Sequence, residues 1–166
     1  GRMGSHLMAT VAEGDRTRVY LESTPEHEVA AQVPHPADVP GGELPNNPRD
    51  FKTPNYGMST FADLFTPRQL IALTTCSDLV AEARERVLAD ALTSGLSEGD
   101  RLESGGTGAA AYADAVATYL GLGVSRTADR SSTIASWDSS LGKVRNTFGR
   151  QAIPMTWDFA EVNLFS

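Results

Sequence analysis

The sequence predicts a mainly α-helical protein: a bundle of three to four helices preceded by an extended, proline-rich N-terminal arm. Three observations lead there. Seven prolines from Pro25 to Pro54 exclude a long helix or a central strand from that stretch. A complete helix-start signature stands at Thr66. Beyond it, apolar residues recur at the three- and four-residue spacing of helices with one buried face. At 166 residues the chain is long enough for one domain with a real core.

Taken in order, Gly4-Ser5-His6 followed by Leu7-Met8-Ala9 matches the scar of a cleaved purification tag, so residues 1–10 are set aside as a tag remnant. Residues 11–60 form the arm. Within it, residues 18–21 (Arg-Val-Tyr-Leu) have strand propensity, and Pro40-Gly41-Gly42 marks a turn. Phe51, Tyr56 and Met58 give residues 47–58 the character of a segment pinned across a helical surface rather than a linker. Residues 61–151 are the helical module. Thr66 is an N-cap, Pro67 takes the first helical position, and Gln69 completes a capping box. Phe65 and Leu70 occupy the positions of a hydrophobic staple. This helix runs to about residue 93 with Leu73, Cys76, Val80, Ala83, Val87 and Ala91 on one stripe, and Gly95 stops it.

A second helix spans about 107–128, with an apolar face of Tyr112, Val116, Tyr119, Leu120 and Val124 flanked by alanines. Those small flanks let neighbouring helices approach closely and place it at the centre of the bundle. A third, shorter helix begins at Ser131 or Ser132 and includes Ile134 and Trp137. A fourth covers residues 143–151 and ends ahead of Pro154.

The formal net charge of −7 argues against coating nucleic acid by bulk electrostatics. Residues 126–151 nevertheless hold five basic residues against two acidic ones, which suits either a solvated helix face or contact with phosphate. The single cysteine, Cys76, forms no internal disulfide, which points to a reducing, cytoplasmic setting. Its place on the apolar stripe makes it a core residue. No apolar run approaches the roughly 18 residues of a membrane span. Gly105-Gly106-Thr107-Gly108 precedes a helix, where anions bind, but it lacks the lysine and the preceding strand of a phosphate loop. His27 and His35 have no companions at zinc-ligand spacing, and Asp158 with Glu161 needs no more than a helix start to explain it. No catalytic, cofactor-binding or metal-ligating residue emerges.

The stretch 143–166 carries Phe148, Trp157, Phe159 and Phe165 among polar residues, too rich for a solvated tail. It reads as the edge of a larger protein. Residues 152–166 are then a connector toward a missing catalytic core, with Trp157, Phe159 and Phe165 as its docking surface.

Three stretches carry a resemblance: N-P-R-D-F-K-T-P-N-Y-G-M at 47–58, L-F-T-P-R-Q-L at 64–70, and R-N-T-F-G-R-Q-A-I-P-M-T-W-D-F-A-E-V-N at 145–163. With Y-A-D-A-V-A-T-Y-L at 112–120, the chain resembles the central region of the adenine-specific DNA methylases that carry a zinc ribbon. Leu164, where a proline is expected, and Gly121-Leu122-Gly123 depart from that pattern. The resemblance implies a fragment of a larger α/β methyltransferase that uses S-adenosylmethionine, with the cofactor motif before this segment and a D-P-P-Y-type motif after it. Neither motif occurs here, and the zinc-ribbon cysteines do not either. The fragment is therefore expected to be inactive alone and to hold no cofactor. Its position implies a DNA-engaging or target-recognition module in which Arg126, Arg130, Lys143, Arg145 and Arg150 contact phosphates and Asn146 and Gln151 reach base edges. The alternative is a structural lid or docking module. It would pack on the methyltransferase core or a partner subunit, self-associating in isolation and making no contact with DNA.

Overall fold

Residues 4–164 are described by the computed structural model, and among them the chain forms three α-helices and two small antiparallel sheets. The protein is a small mixed α/β structure, which corrects the expected mainly helical bundle of three to four helices. Two compact units divide the chain. The first joins the described residues up to Ile71 with Arg130–Asn163, and the second is Ala72–Asp129 together with Leu164.

The first unit opens with a hairpin of β1 (Ala9–Glu13) and β2 (Arg18–Glu22). Its register pairs Glu13 with Arg18 and Val11 with Tyr20. The strand-prone 18–21 stretch is thus a strand, and Ala9 and Thr10, set aside with the tag, belong to its partner. A short helix, α1 (Pro25–Ala30), follows where only extended chain was expected. Thr24 caps it, accepting from the His27 amide while the His27 ring accepts from the Thr24 amide. The arm is indeed pinned, but to chain rather than to a helical face. Phe51 bridges Ile153 in parallel, with Lys52 N–H donating to the Ile153 carbonyl and Ile153 N–H to that of Asp50, both at 2.9 Å. Ile153 then joins Leu44, Leu64 and Ile134 in the core, covered by Phe51, Met58 and Phe65. Residues 152–163, expected as a connector, run through this unit.

The helix start at Thr66 forms as its residues dictate. The Gln69 side chain accepts from the Thr66 amide at 2.9 Å, and Thr66 Oγ1 accepts from the Gln69 amide at 3.2 Å. From there α2 (Pro67–Thr93) continues into the second unit, with Leu70 fully buried.

The expected third and fourth helices are absent. Residues 131–151 instead make turns and the hairpin β3 (Trp137–Asp138) with β4 (Lys143–Val144). Ser, Thr and Asp side chains compete with a helix by bonding backbone, and here Ser132, Thr133 and Asp138 all find partners. Ser132 Oγ meets Thr147 Oγ1 at 2.7 Å and accepts from the Ile134 amide. Thr133 donates from N–H and Oγ1 to the Leu64 carbonyl at 2.8 and 2.9 Å. Asp138 Oδ1 accepts from the amides of Ser140 and Leu141 and from Ser140 Oγ, and Gly142 turns the chain at φ +59°.

In the second unit, α3 (Ala109–Ala128) falls close to its expected place but presents the opposite face. Its alanines are inside, with Ala109 and Ala113 fully buried, while Tyr112 and Tyr119 are 56% and 78% exposed. The alanines were expected to admit neighbouring helices; the close approach in the structure is instead within the loop preceding α3. Gly106 and Gly108 are the cause: a Cβ on either would lie within 2.6 Å of backbone carbonyl oxygens of residues 97–100. Asp114, buried on α3, gathers this unit. It accepts from Arg84 on α2 at 2.7 Å, from Arg101 at 2.7 Å and from the Leu102 amide at 3.1 Å.

Candidate nucleic-acid interface

In the first unit, the side chains and loop residues of the two hairpins face each other. Glu13, Gly14, Arg16, Thr17 and Arg18 from the β1–β2 hairpin, with Leu141 and Gly142 from the β3–β4 hairpin, line an open groove of about 270 Å³. The β1–β2 turn is closed by Gly14 N–H donating to the Thr17 carbonyl at 2.9 Å. It holds Arg16 at φ +55°, a left-handed conformation that costs a non-glycine residue about 1 kcal/mol. The Arg18 side chain lies across Gly142, where a Cβ would be 3.7 Å from Arg18 Cγ. Farther along β2, Trp137 Nε1–H donates to the Tyr20 hydroxyl at 3.1 Å and ties the second hairpin to the first. Lys143 follows Gly142 and is exposed.

Two cationic side chains, Arg16 and Arg18, therefore line the groove, with Glu13 as its acid, and Lys143 follows the groove residue Gly142 in sequence. Of these, sequence reasoning selected Lys143 alone. The two arginines were missed because their strand meets β3 across 117 residues of chain, between Tyr20 and Trp137. The available signal was local: Gly14-Asp15-Arg16-Thr17 is a turn between two strand-prone runs, and a turn displays its side chains.

The other predicted residues fare differently. Arg145 is held by Asp138, Nε at 3.2 Å and Nη2 at 3.0 Å, and the Asp138 carboxyl lies below its ordinary range, chiefly through the Ser140 hydroxyl. Arg130 is half-buried with its Nε enclosed. Arg150, Asn146 and Gln151 are exposed in the first unit. Arg126 belongs to the second unit, 4.0 Å from Asp129. Of the docking residues, Trp157 is 69% exposed and packs edge-to-face on Tyr56, centroids 5.2 Å apart. Phe159 is half-buried and bridges Ser136, and Phe165 lies outside the described residues.

The glycine loop before α3 does not fit a nucleotide or a cofactor. The first amides of α3 already donate to backbone, Ala109 to the Ser97 carbonyl at 2.8 Å and Ala110 to that of Glu98 at 3.0 Å. Residue 106 has no room for even a methyl group, since its Cβ would lie 1.8 Å from the Asp100 carbonyl oxygen. Among the described residues, no three of His, Cys, Asp and Glu gather to hold a metal ion, and no helix is long and apolar enough to cross a membrane.

No family model matches this chain, and neither a curated protein nor a solved structure is found to match it.

Proposed function

We propose that this chain is an accessory module of an S-adenosylmethionine-dependent, adenine-specific DNA methyltransferase, engaging DNA phosphates while methyl transfer takes place elsewhere in the parent enzyme. The parent enzyme is inferred from the resemblance of residues 47–58, 64–70 and 145–163. The observation that supports DNA engagement is the convergence of Arg16 and Arg18 on one groove, whose opposite wall ends at Gly142 immediately before Lys143. An acidic chain repels a polyanion overall, so contact must be local, through a few cations on one edge.

Fluorescence anisotropy with labelled DNA at a series of salt concentrations tests this. Three phosphate contacts give a slope of log K against log salt of roughly −2 to −3, and each alanine at Arg16, Arg18 or Lys143 lowers its magnitude by about one. Arg16→Gly separates binding from folding. It relieves the left-handed backbone and leaves stability unchanged or higher, while binding still weakens. Salt-insensitive binding, or none, overturns DNA engagement.

A second reading rests on a different surface. Trp157 and Tyr56 form an exposed aromatic pair of the kind that anchors protein interfaces. As a docking module the fragment self-associates, and light scattering detects dimers that Trp157→Ala abolishes. A monomer at all concentrations removes this alternative.

A further inference from the structure

Resting on the proposed DNA contact, we infer that the two-hairpin edge takes single-stranded DNA, with an unstacked base lying on the Tyr20 ring. Side-chain alternation places Arg18 and Tyr20 on the same face of β2, two residues or about 6.8 Å apart along the strand. Tyr20 is 55% exposed, and its hydroxyl is fixed by Trp137 Nε1–H, so the ring is held in place beside the cations. Val11, cross-strand partner of Tyr20, and Leu141, on the opposite wall of the groove, are also exposed, at 38% and 64%.

This combination discriminates between the two forms of DNA. A duplex turns its phosphates outward and keeps its base faces stacked inside, so an aromatic ring and two aliphatic side chains set among arginines have no matching surface on it. A single strand offers a base face and a phosphate at neighbouring positions. Proteins that hold single strands combine these two elements, cations that follow the backbone and aromatic rings on which bases stack. The small number of cations points the same way. Two arginines line the groove with Glu13 beside them, few cations for the two phosphate rows of a duplex.

The full chain is titrated with a labelled single-stranded oligonucleotide and with the duplex of the same sequence, at low and at moderate salt. The single strand is expected to bind roughly tenfold more tightly. Tyr20→Leu is expected to lose about tenfold of that affinity and leave the duplex unaffected. Tyr20→Phe, which loses the Trp137 bond but keeps the ring, is expected to retain single-strand binding, so its retention beside the loss in Tyr20→Leu identifies stacking. Equal or tighter duplex binding, with Tyr20→Leu neutral and the Arg16 and Arg18 variants weakened, overturns the single-strand inference and leaves the DNA contact standing. Absence of salt-sensitive binding to either form overturns both.

Discussion

Replacing Gly106 by alanine is expected to destabilise the protein by about 2–4 kcal/mol, measured by chemical denaturation. The added Cβ would sit 1.8 Å from the Asp100 carbonyl oxygen and 2.9 Å from that of Arg101, and neither atom belongs to a flexible side chain that could swing away. Relief requires the 97–101 backbone to retreat. That backbone caps α3 through Ser97 and Glu98 and carries the Arg101 side chain to Asp114, so one methyl group disturbs the cap and the ion pair together. Gly121 and Gly123 provide the control. Both lie within α3 with nothing within 4 Å of an added Cβ, so alanine there stabilises the helix by up to about 1 kcal/mol. The same chemical change should thus act with opposite signs at sites within one short region. A loss below about 0.5 kcal/mol at Gly106 would contradict the tight packing of the loop.

Replacing Asp114 by alanine is expected to lower the melting temperature by roughly 5 °C or more, because it removes a carboxylate shared by two arginines. Arg84, whose side chain is 19% exposed, would keep Glu85 but lose its partner on α3. Asparagine preserves shape without charge and should recover only part of the loss. The pH dependence has a definite sign. Hydrogen bonds from Arg101, then from Arg84 and the Leu102 amide, hold the Asp114 carboxyl down at about 2 from 3.8. The unfolded chain binds this proton more readily than the folded one. The stabilisation is therefore complete above the unfolded value and is lost as pH falls from 3.8 through about 2. Thermal melts of wild type and Asp114→Asn should converge across that window; parallel curves would assign the stabilisation elsewhere.

What the sequence revealed depended on how far each residue's partner lies along the chain. The start of α2 was legible because Thr66, Pro67 and Gln69 satisfy one another within a single turn. The α3 span was legible too, but its buried face was not. The large rings of the tyrosines suggested the buried face, whereas the structure buries Ala109, Ala110, Ala111 and Ala113, next to a loop whose tight fold depends on Gly106 and Gly108. Residues 131–151 were misread as helix because Ser132 and Thr133 find partners at Thr147 and Leu64, which no local window contains. The candidate site was half visible for the same reason. Lys143 stood out within a basic stretch, Arg145 stood out equally but is engaged by Asp138, and Arg16 and Arg18 became relevant only once the hairpins met.

Arg68 lies in the first turn of α2, donates to the Ala31 carbonyl at the end of α1, and grips both oxygens of Glu161, 93 residues away. Together with the bridge from Phe51 to Ile153, it sets an order of events during synthesis. Residues 72–129 are contiguous, so the partners within that stretch leave the ribosome together. The first unit cannot close its core before Ile153 emerges, nor complete this clasp before Glu161 does. Until then Leu44 and Leu64, made early, wait without their last core partner. The contacts that complete the first unit therefore come from residues 153–161, and they form only once that stretch has emerged from the ribosome.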